Sequence, residues 1–314
     1  MIEENKTIRE IDSVENLLRQ GKYREAIVLC EEIHMAHPEE ESVLLILSWA
    51  YYDSGDTKQA LKHLNTLLER ELKRKVFTGF AFDELVRIYK QEKKFPKLVE
   101  ICERAVAVQP EDIGLLTELG NAYLQSGQAK KACGIYEKLI EIESDNPAFY
   151  CHWGEALFAA GLREESEKAY LRAGEIDPDQ TDHYYFKIAA LFQRADDHQE
   201  AERLLNKCIA VSSANPLYYC SLGDSLIGLG QTLKALKAYE TAVLYDNAGA
   251  GAYYNRLGHA LMKTNHFSEA VEAFKSAIVH DAAQPYYLSL AAAYNGMGLT
   301  DQADKIMCEV KKSD

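Results

Sequence analysis

Large apolar and small residues alternate along this chain at the spacing of amphipathic helices that cross closely. The clearest example is the stretch from Pro216 to Ala242. Large apolar residues flank Gly223 at helical spacing, a turn follows at Gly230, and a second helical pattern contains Ala235 and Tyr239. A side chain larger than a methyl group at the small positions would hold the two helices apart. The pattern therefore predicts one helical hairpin.

The same hairpin pattern recurs along nearly the whole chain. The small position of the first helix is found at Val14, Ser48, Val86, Gly120, Gly154, Ala189, Gly223, Gly258 and Ala291. Successive spacings are 34, 38, 34, 34, 35, 34, 35 and 33 residues. One hairpin cannot bury its own apolar face, so neighbouring hairpins must stack to complete a core.

A period near 34 residues with this residue pattern resembles the tetratricopeptide repeat. The resemblance covers residues 8–311 and about nine repeats. It implies an all-α fold, a right-handed superhelix in which the hairpins form a single solenoid. Residues 1–7 are expected to be a flexible N-terminus, and residues 312–314 a tail.

The one irregular spacing, 38 residues, predicts a joint near residues 68–79. Four extra residues are about one helical turn. Glu69/Lys73 and Glu71/Lys75 form opposite-charge pairs at i,i+4, which favour helix. We expect an extended second helix here and a local change in solenoid pitch. The alternative is a longer, disordered loop.

Helix-start signals separate several repeats. Asn or Asp directly precedes Pro at Asn146, Asp177 and Asn215. Such a pair combines a side-chain cap with a residue preset for the first helical turn. We therefore expect these three residues to cap the helices that follow them.

Composition narrows the class of protein. Residues are 47% hydrophobic and 27% charged, and no apolar run approaches the length of a membrane span. The acidic N-terminus lacks a following apolar stretch, so we expect no secretion signal and a cytoplasmic location. Seven scattered cysteines fit buried, reduced thiols. A net charge of −14 disfavours nucleic acid and anionic membranes as partners.

Candidate catalytic or metal-binding groups are sparse. Cys151 and His152 are adjacent, and neighbours on a helix do not face each other. His152, His183 and Cys151 come from adjacent first helices but lack metal-ligand spacing. The glycines follow the repeat instead of forming a phosphate-binding loop. We therefore expect no enzymatic activity, no metal and no cofactor.

The resemblance implies that first helices line a concave groove, which in this family commonly holds a peptide. The groove candidates lie beside the packing stripe of each first helix: Trp49, Tyr52, Arg87, Lys90, Asn121, Glu155, Phe158, Phe186, Arg194, Asp224, Asn255, His259 and Lys263. Charged residues on the groove side number five acidic and five basic, so a near-neutral groove is expected. Trp49 is singled out as a binding hot spot if exposed. The alternative is that the first repeat buries it.

One subclass of the family grips a C-terminal carboxylate with a set of Lys, Asn and Arg residues. Asn121 could supply one Asn, and Lys187 matches the final basic position. Thr117 and His152 stand where that subclass has Lys and Asn. These departures argue against that mode of recognition.

The sequence thus predicts a non-enzymatic scaffold or adaptor that binds a partner's peptide segment in the groove. One alternative is a structural protein that self-associates through its C-terminal edge, where Ile306, Met307 and Val310 are apolar. Another is an accessory subunit of an enzyme carried on a separate chain.

Overall fold

The computed structural model describes residues 2–74 and 79–313, with side chains for 10–74 and 79–308. Over these residues the secondary structure consists of eighteen α-helices and one short 3-10 helix, Pro178–Gln180, with no strand. The prediction of an all-α fold is confirmed.

The helices fall into two compact units, Met1–Ile142 and Glu143–Asp314. The first unit contains α1 (Ile2–Arg19), α2 (Tyr23–Ala36), α3 (Glu41–Asp53), α4 (Thr57–Arg74), α5 (Phe80–Gln91), α6 (Phe95–Val108), α7 (Ile113–Gln125) and α8 (Ala129–Ile142). The second contains α9 (Pro147–Ala159), α10 (Arg163–Ile176), α11 (Thr181–Arg194), α12 (His198–Val211), α13 (Pro216–Gly228), α14 (Thr232–Tyr245), α15 (Ala250–Lys263), α16 (Phe267–His280), α17 (Gln284–Gly296) and α18 (Thr300–Ser313).

Within each unit the helices form stacked hairpins. Each odd-numbered helix packs against the even-numbered helix that follows it, and each hairpin packs against the next. All nine small residues that define the sequence period lie in odd-numbered helices, and all nine are buried. The register of the repeats is therefore the one that the sequence predicts.

The close helix crossing predicted at Gly223 is explained by an aromatic ring. A Cβ atom on Gly223 would lie 2.5 Å from the ring of Tyr239, which comes from the second helix of the same hairpin. The arrangement recurs at Gly120 with Tyr136, Gly154 with Tyr170 and Gly258 with Phe274. Glycine leaves room for the ring, and the ring fills the space between the two helices.

Each hairpin turn contains one residue in the left-handed conformation. At Gly230, φ is +71°, its N–H donates to the carbonyl of Ile227, and the next N–H donates to Leu226. These two bonds close the end of the helix as a Schellman motif. The equivalent turn residues are Gly21, Gly55, Lys93, Gly127, Gly161, Asp196, Asn265 and Gly298. Glycine predominates because it adopts positive φ without a steric penalty.

The predicted extension of the second helix in the second repeat is present as far as it is described. Helix α4 has 18 residues and ends at Arg74, whereas α2 has 14. Lys75 and Val76 lie outside the described residues, and the change in pitch stays a prediction. Helix α1 begins at Ile2 and α18 reaches Ser313. The flexible N-terminus over residues 1–7 and the tail over residues 312–314 stay predictions. One solenoid over residues 8–311 stays a prediction.

Two of the three expected helix caps form. Asn146 and Asn215 each accept a hydrogen bond from the backbone N–H two residues later. The cap expected at Asp177 is absent, because Pro178 begins the 3-10 helix instead of α11. Helix α11 starts at Thr181, so the repeat gains a short extra turn before its first helix.

Candidate functional site

A cavity of about 930 Å³ opens in the second unit, between the first helices of successive hairpins. Helices α9, α11, α13 and α15 supply most of its wall. The lining residues are Glu155, His183, Phe186, Lys187, Ala190, Gln193, Arg194, Asp196, His198, Asp224, Ile227, Gly228, Arg256, His259, Ala260, Lys263 and Thr264. On α11 they recur every three or four residues from His183 to Arg194, which places them on one face of that helix.

Part of the cavity wall is apolar. Phe186, Ala190, Ile227 and Ala260 come from three different helices. The ring of Phe186 also packs against Tyr218, with 5.1 Å between ring centroids. This contact ties the wall to the core of the unit and fixes an apolar surface beside the charged groups.

The charged part of the lining is more basic than the near-neutral groove expected from the sequence. The lining contains four cationic side chains, Lys187, Arg194, Arg256 and Lys263, and three carboxylates, Glu155, Asp196 and Asp224. It also contains three histidines, His183, His198 and His259. The chain as a whole carries −14. Lys187 and Arg256 add two positive charges to the predicted residues of this lining and Asp196 adds one negative charge; none of the three was among the predicted groove residues.

Asp224 and Arg256 form a hydrogen-bonded pair between α13 and α15. Arg256 Nη2 and Nε donate to Asp224 Oδ2 at 2.7 and 2.9 Å, and Nη2 also donates to Ser221 Oγ at 3.0 Å. The buried hydroxyl of Tyr239 donates to the other oxygen of Asp224. Burial lowers the pKa of Arg256, but the neighbouring carboxylate outweighs burial and raises it. Arg256 and Asp224 therefore neutralise each other's charge.

The other three cations of the cavity are not paired in this way. Among the described residues, no carboxylate lies within 4 Å of the charged nitrogens of Lys187, Arg194 or Lys263. Glu155 approaches His152 instead, with 3.8 Å from Nδ1 to Oε2. Interaction with His152 lowers the pKa of Glu155; burial opposes this, and Lys187 and Arg194 add to the lowering. The cavity thus holds more positive charge than its own carboxylates neutralise.

The histidines of the cavity contribute shape and polarity. Burial, with the nearby charge of Lys263, lowers the pKa of His259, which favours the neutral ring at pH 7. His259 Nε2 lies 3.1 Å from Ser289 Oγ. The ring of His198 covers Gly228, where a Cβ atom would lie 2.2 Å away. Because Gly228 has no side chain, the imidazole of His198 can lie in the cavity wall at this point.

Six of the thirteen predicted groove residues line this cavity: Glu155, Phe186, Arg194, Asp224, His259 and Lys263. Two others in the same unit do not. Phe158 packs edge-on against Phe192 at 5.1 Å, and the guanidinium of Arg163 lies 5.6 Å from its ring. Asn255 is half-buried beside the cavity lining.

The predicted residues of the first unit form contacts between neighbouring helices. Trp49 on α3 is 40% exposed, so the first repeat does not bury it, and its role as a binding hot spot stays a prediction. Tyr52 donates to Gln91 Oε1 at 2.5 Å, and the guanidinium of Arg87 lies 4.7 Å from the Tyr52 ring. Arg87 also pairs with Glu84 at 2.6 Å. This cluster links α3 and α5, with Trp49 exposed on α3.

Lys90 and Asn121 are engaged in the same unit. Lys90 Nζ lies 2.8 Å from Glu118, which joins α5 to α7. Asn121 accepts a hydrogen bond of 2.9 Å from Tyr136, the residue whose ring covers Gly120. Both side chains therefore have partners within their own unit.

Sequence reasoning missed the position two residues before the small residue of each first helix. In three repeats this position contacts the preceding repeat: Glu118 contacts Lys90, Arg256 contacts Asp224, and Ser289 contacts His259. A usable signal was present, because the position is polar from the third repeat onward: Glu84, Glu118, His152, Lys187, Ser221, Arg256 and Ser289. Polar residues at one fixed register position indicate inter-repeat contacts.

At the C-terminal edge, Ile306 packs against the apolar core of the second unit and Met307 is half-buried. The side chain of Val310 lies outside the described residues. Self-association through this edge stays a prediction.

The remaining candidate chemistry has a structural explanation. Burial raises the pKa of the Cys151 thiol to about 11, and six of the seven cysteines are buried, with Cys308 exposed. In the described ranges, no three His, Cys, Asp or Glu side chains converge as metal ligands. None of the helices described there is long and apolar enough to cross a membrane.

Comparison with known proteins gives a consistent result. Three sequence models of the tetratricopeptide repeat match residues 17–76, 113–146 and 220–287, together about half of the chain. No curated protein matches the chain.

Several solved structures are similar to this chain. The MamA protein is 18% identical, with a TM-score of 0.42, over 55% of this chain and 94% of that one. A tetratricopeptide repeat protein from Parabacteroides merdae is 14% identical, with a TM-score of 0.43, over 92% and 99%. Yeast Tom70 is 14% identical, with a TM-score of 0.42, over 97% and 84%.

Proposed function

The chain belongs to the tetratricopeptide repeat family, and on that premise we propose that it is a non-enzymatic scaffold or adaptor. Its ligand is a peptide segment of a partner protein, held in the cavity of the second unit. The free, buried thiols fit a reducing location such as the cytoplasm.

The observation that supports this proposal is the composition of the cavity wall. A space of about 930 Å³ is lined both by apolar side chains and by cations that have no carboxylate partner among the described residues. Binding sites typically combine a mostly apolar wall with a few placed polar groups. A peptide segment offers both kinds of group along its length, so it can use both parts of the wall.

A test is to block the cavity without altering charge. Ala190 lines the cavity on α11, and Ala190→Tyr would fill part of it. Ala210 is exposed on α12, a second helix, so Ala210→Tyr is the matched control. We expect the wild type and Ala210→Tyr to capture the same partner protein from native lysate, and Ala190→Tyr to lose it.

A third variant, Trp49→Ala/Arg87→Glu, tests the first unit in the same capture experiment. If the partner is lost only with that variant, the site lies around Trp49 and the assignment to the second unit is wrong. If all variants that unfold cooperatively capture the same proteins, neither surface is the binding site.

A second candidate function is self-association through the last hairpin. Apolar side chains are exposed there at Leu288, Met297 and Leu299. We propose a second copy of the chain as the occupant, with Met307 at the edge of the contact. Sedimentation velocity is expected to show an oligomer that Met307→Lys weakens, and a monomer at every concentration would contradict this candidate.

A further inference from the structure

Resting on the proposed peptide-binding function, we infer that the cavity of the second unit selects an acidic peptide segment, and that Glu155, a carboxylate of the same lining, opposes binding of that segment through its like charge. If the cavity selects internal acidic side chains, the binding segment of a partner protein would be recognisable from the partner's sequence. It would also make Glu155 a negative regulator of affinity.

The cavity contains positive charge that its own carboxylates leave unneutralised. Asp224 is committed to Arg256 and Tyr239, and Asp196 lies 3.9 Å from the imidazole of His198. The third carboxylate, Glu155, approaches His152, and the charges of Lys187 and Arg194 contribute to the lowering of its pKa. Lys187, Arg194 and Lys263 together therefore exceed the negative charge within their reach.

These cations are arranged on two helices. Lys187 and Arg194 lie seven residues apart on α11, two helical turns along one face, and Lys263 lies on α15. The cations therefore border the cavity from two helices, with Ile227 of α13 between those helices. A segment with acidic side chains separated by apolar ones could satisfy both the cations and the apolar wall.

Tyr170 is the aromatic residue that covers Gly154. In two other repeats the hydroxyl at this position donates to the residue directly after the glycine, namely Asn121 or Asp224. Tyr170 is 2% exposed and its hydroxyl has no partner among the described residues. The residue after Gly154 is Glu155, which approaches His152 instead.

The unpartnered hydroxyl indicates where the Glu155 carboxylate would go when displaced. Burial raises the pKa of the Tyr170 hydroxyl, and the charge of Glu155 adds to this increase. A ligand carboxylate bound by Lys187 and Arg194 would repel Glu155, and Tyr170 offers Glu155 a hydrogen bond of the kind that Tyr239 donates to Asp224.

The experiment is isothermal titration calorimetry of the full chain with short peptides capped at both ends. Three peptides share Leu and Gly positions and carry Asp, Asn or Lys at the remaining positions. We expect the Asp peptide to bind at least roughly tenfold more tightly than the Asn peptide, since each charge-assisted hydrogen bond can contribute about that factor. The preference should shrink as salt is added.

Variants assign the effect to residues. Arg194→Gln and Lys263→Gln should each weaken binding of the Asp peptide roughly tenfold, as expected for loss of a charged donor. Lys237→Gln makes the same charge change on an exposed residue of α14 and should have no effect. Glu155→Gln should strengthen binding roughly threefold, the size expected for removing one partly screened like charge.

The outcomes separate this inference from the proposed function. Equal or tighter binding of the Asn or Lys peptide, with loss on Ala190→Tyr, overturns acidic selection and leaves peptide binding intact. Weaker binding of the Asp peptide to Glu155→Gln overturns the opposing role of Glu155. A phosphoserine peptide and an uncapped Asn peptide identify which anion the cavity prefers. Tighter binding of the uncapped Asn peptide than of the capped Asp peptide would assign recognition to a terminal carboxylate and overturn selection by acidic side chains.

Discussion

The ring of Tyr239 covers Gly223 so closely that a methyl group on Gly223 would lie 2.5 Å from the ring. Gly223→Ala therefore forces the ring or the helix to move, and overpacking of this kind costs about 1–3 kcal/mol. We expect the urea midpoint of the second unit to fall, as followed by circular dichroism. An unchanged urea midpoint would mean that the Tyr239 ring or the helices can move to accommodate the methyl group without loss of stability.

Two glycines seven residues apart should respond to alanine in opposite directions. Gly127 has φ of +76° and Gly134 lies within α8 at an exposed position, and a Cβ at either one meets no atom within 4 Å. Gly127→Ala should destabilise by about 1–2 kcal/mol because the left-handed conformation penalises a side chain. Gly134→Ala should stabilise by about 0.5–1 kcal/mol through helix propensity. Denaturant unfolding of both variants tests this, and shifts of the same sign would contradict it.

The Asp224–Arg256 pair should show energetic coupling in a double-mutant cycle. Its side chains are 29% and 39% exposed, so solvent screening limits the coupling to about 1 kcal/mol. Asp224→Asn and Arg256→Gln are each expected to destabilise, and the double variant should lose less than the two single losses combined. Strict additivity in chemical denaturation would show that the pair contributes nothing beyond its separate side chains.

Acidification should destabilise the first unit partly through His63. Burial lowers the pKa of this ring, which is stacked on Tyr51 with 5.6 Å between centroids, and the charge of Lys62 adds to the lowering. The unfolded chain therefore takes up the proton first, as pH falls through about 6.5. Stability is retained above that pH and declines below it, until the folded ring also titrates.

The measurement is the thermal midpoint at pH about 7.5 and about 5.5, on either side of the ordinary histidine pKa. His63→Phe keeps a stacked ring without a titrating group, so it should lose less stability on acidification than the wild type. An equal loss in both proteins would assign the acid sensitivity to other groups.

The sequence predicted the hairpins, their register and their close crossings because each depends on local residue size and spacing. Gly223 and Gly258 identify the first helices, and Gly230 identifies a turn, without knowledge of any neighbour. Asp177 misled the helix-start prediction because Pro178 also suits a 3-10 turn, and tertiary packing decides between the two.

The basic character of the cavity could not be read from single repeats. Lys187 and Arg256 each lie two residues before the small position, which was not among the groove positions predicted from single hairpins. The stagger between neighbouring hairpins brings Arg256 beside Asp224 of the preceding repeat. Pairing across repeats depends on that stagger, which no single repeat encodes.

The same stagger determines which segments could be exchanged between tetratricopeptide repeat proteins without loss of contacts between repeats. The polar contacts of Lys90 with Glu118 and of Asp224 with Arg256 each take one member from the middle of a first helix and the other from the second half of the preceding one. A graft cut at hairpin boundaries would break one such contact at each junction. The natural module for engineering or recombination therefore begins halfway along one first helix and ends halfway along the next.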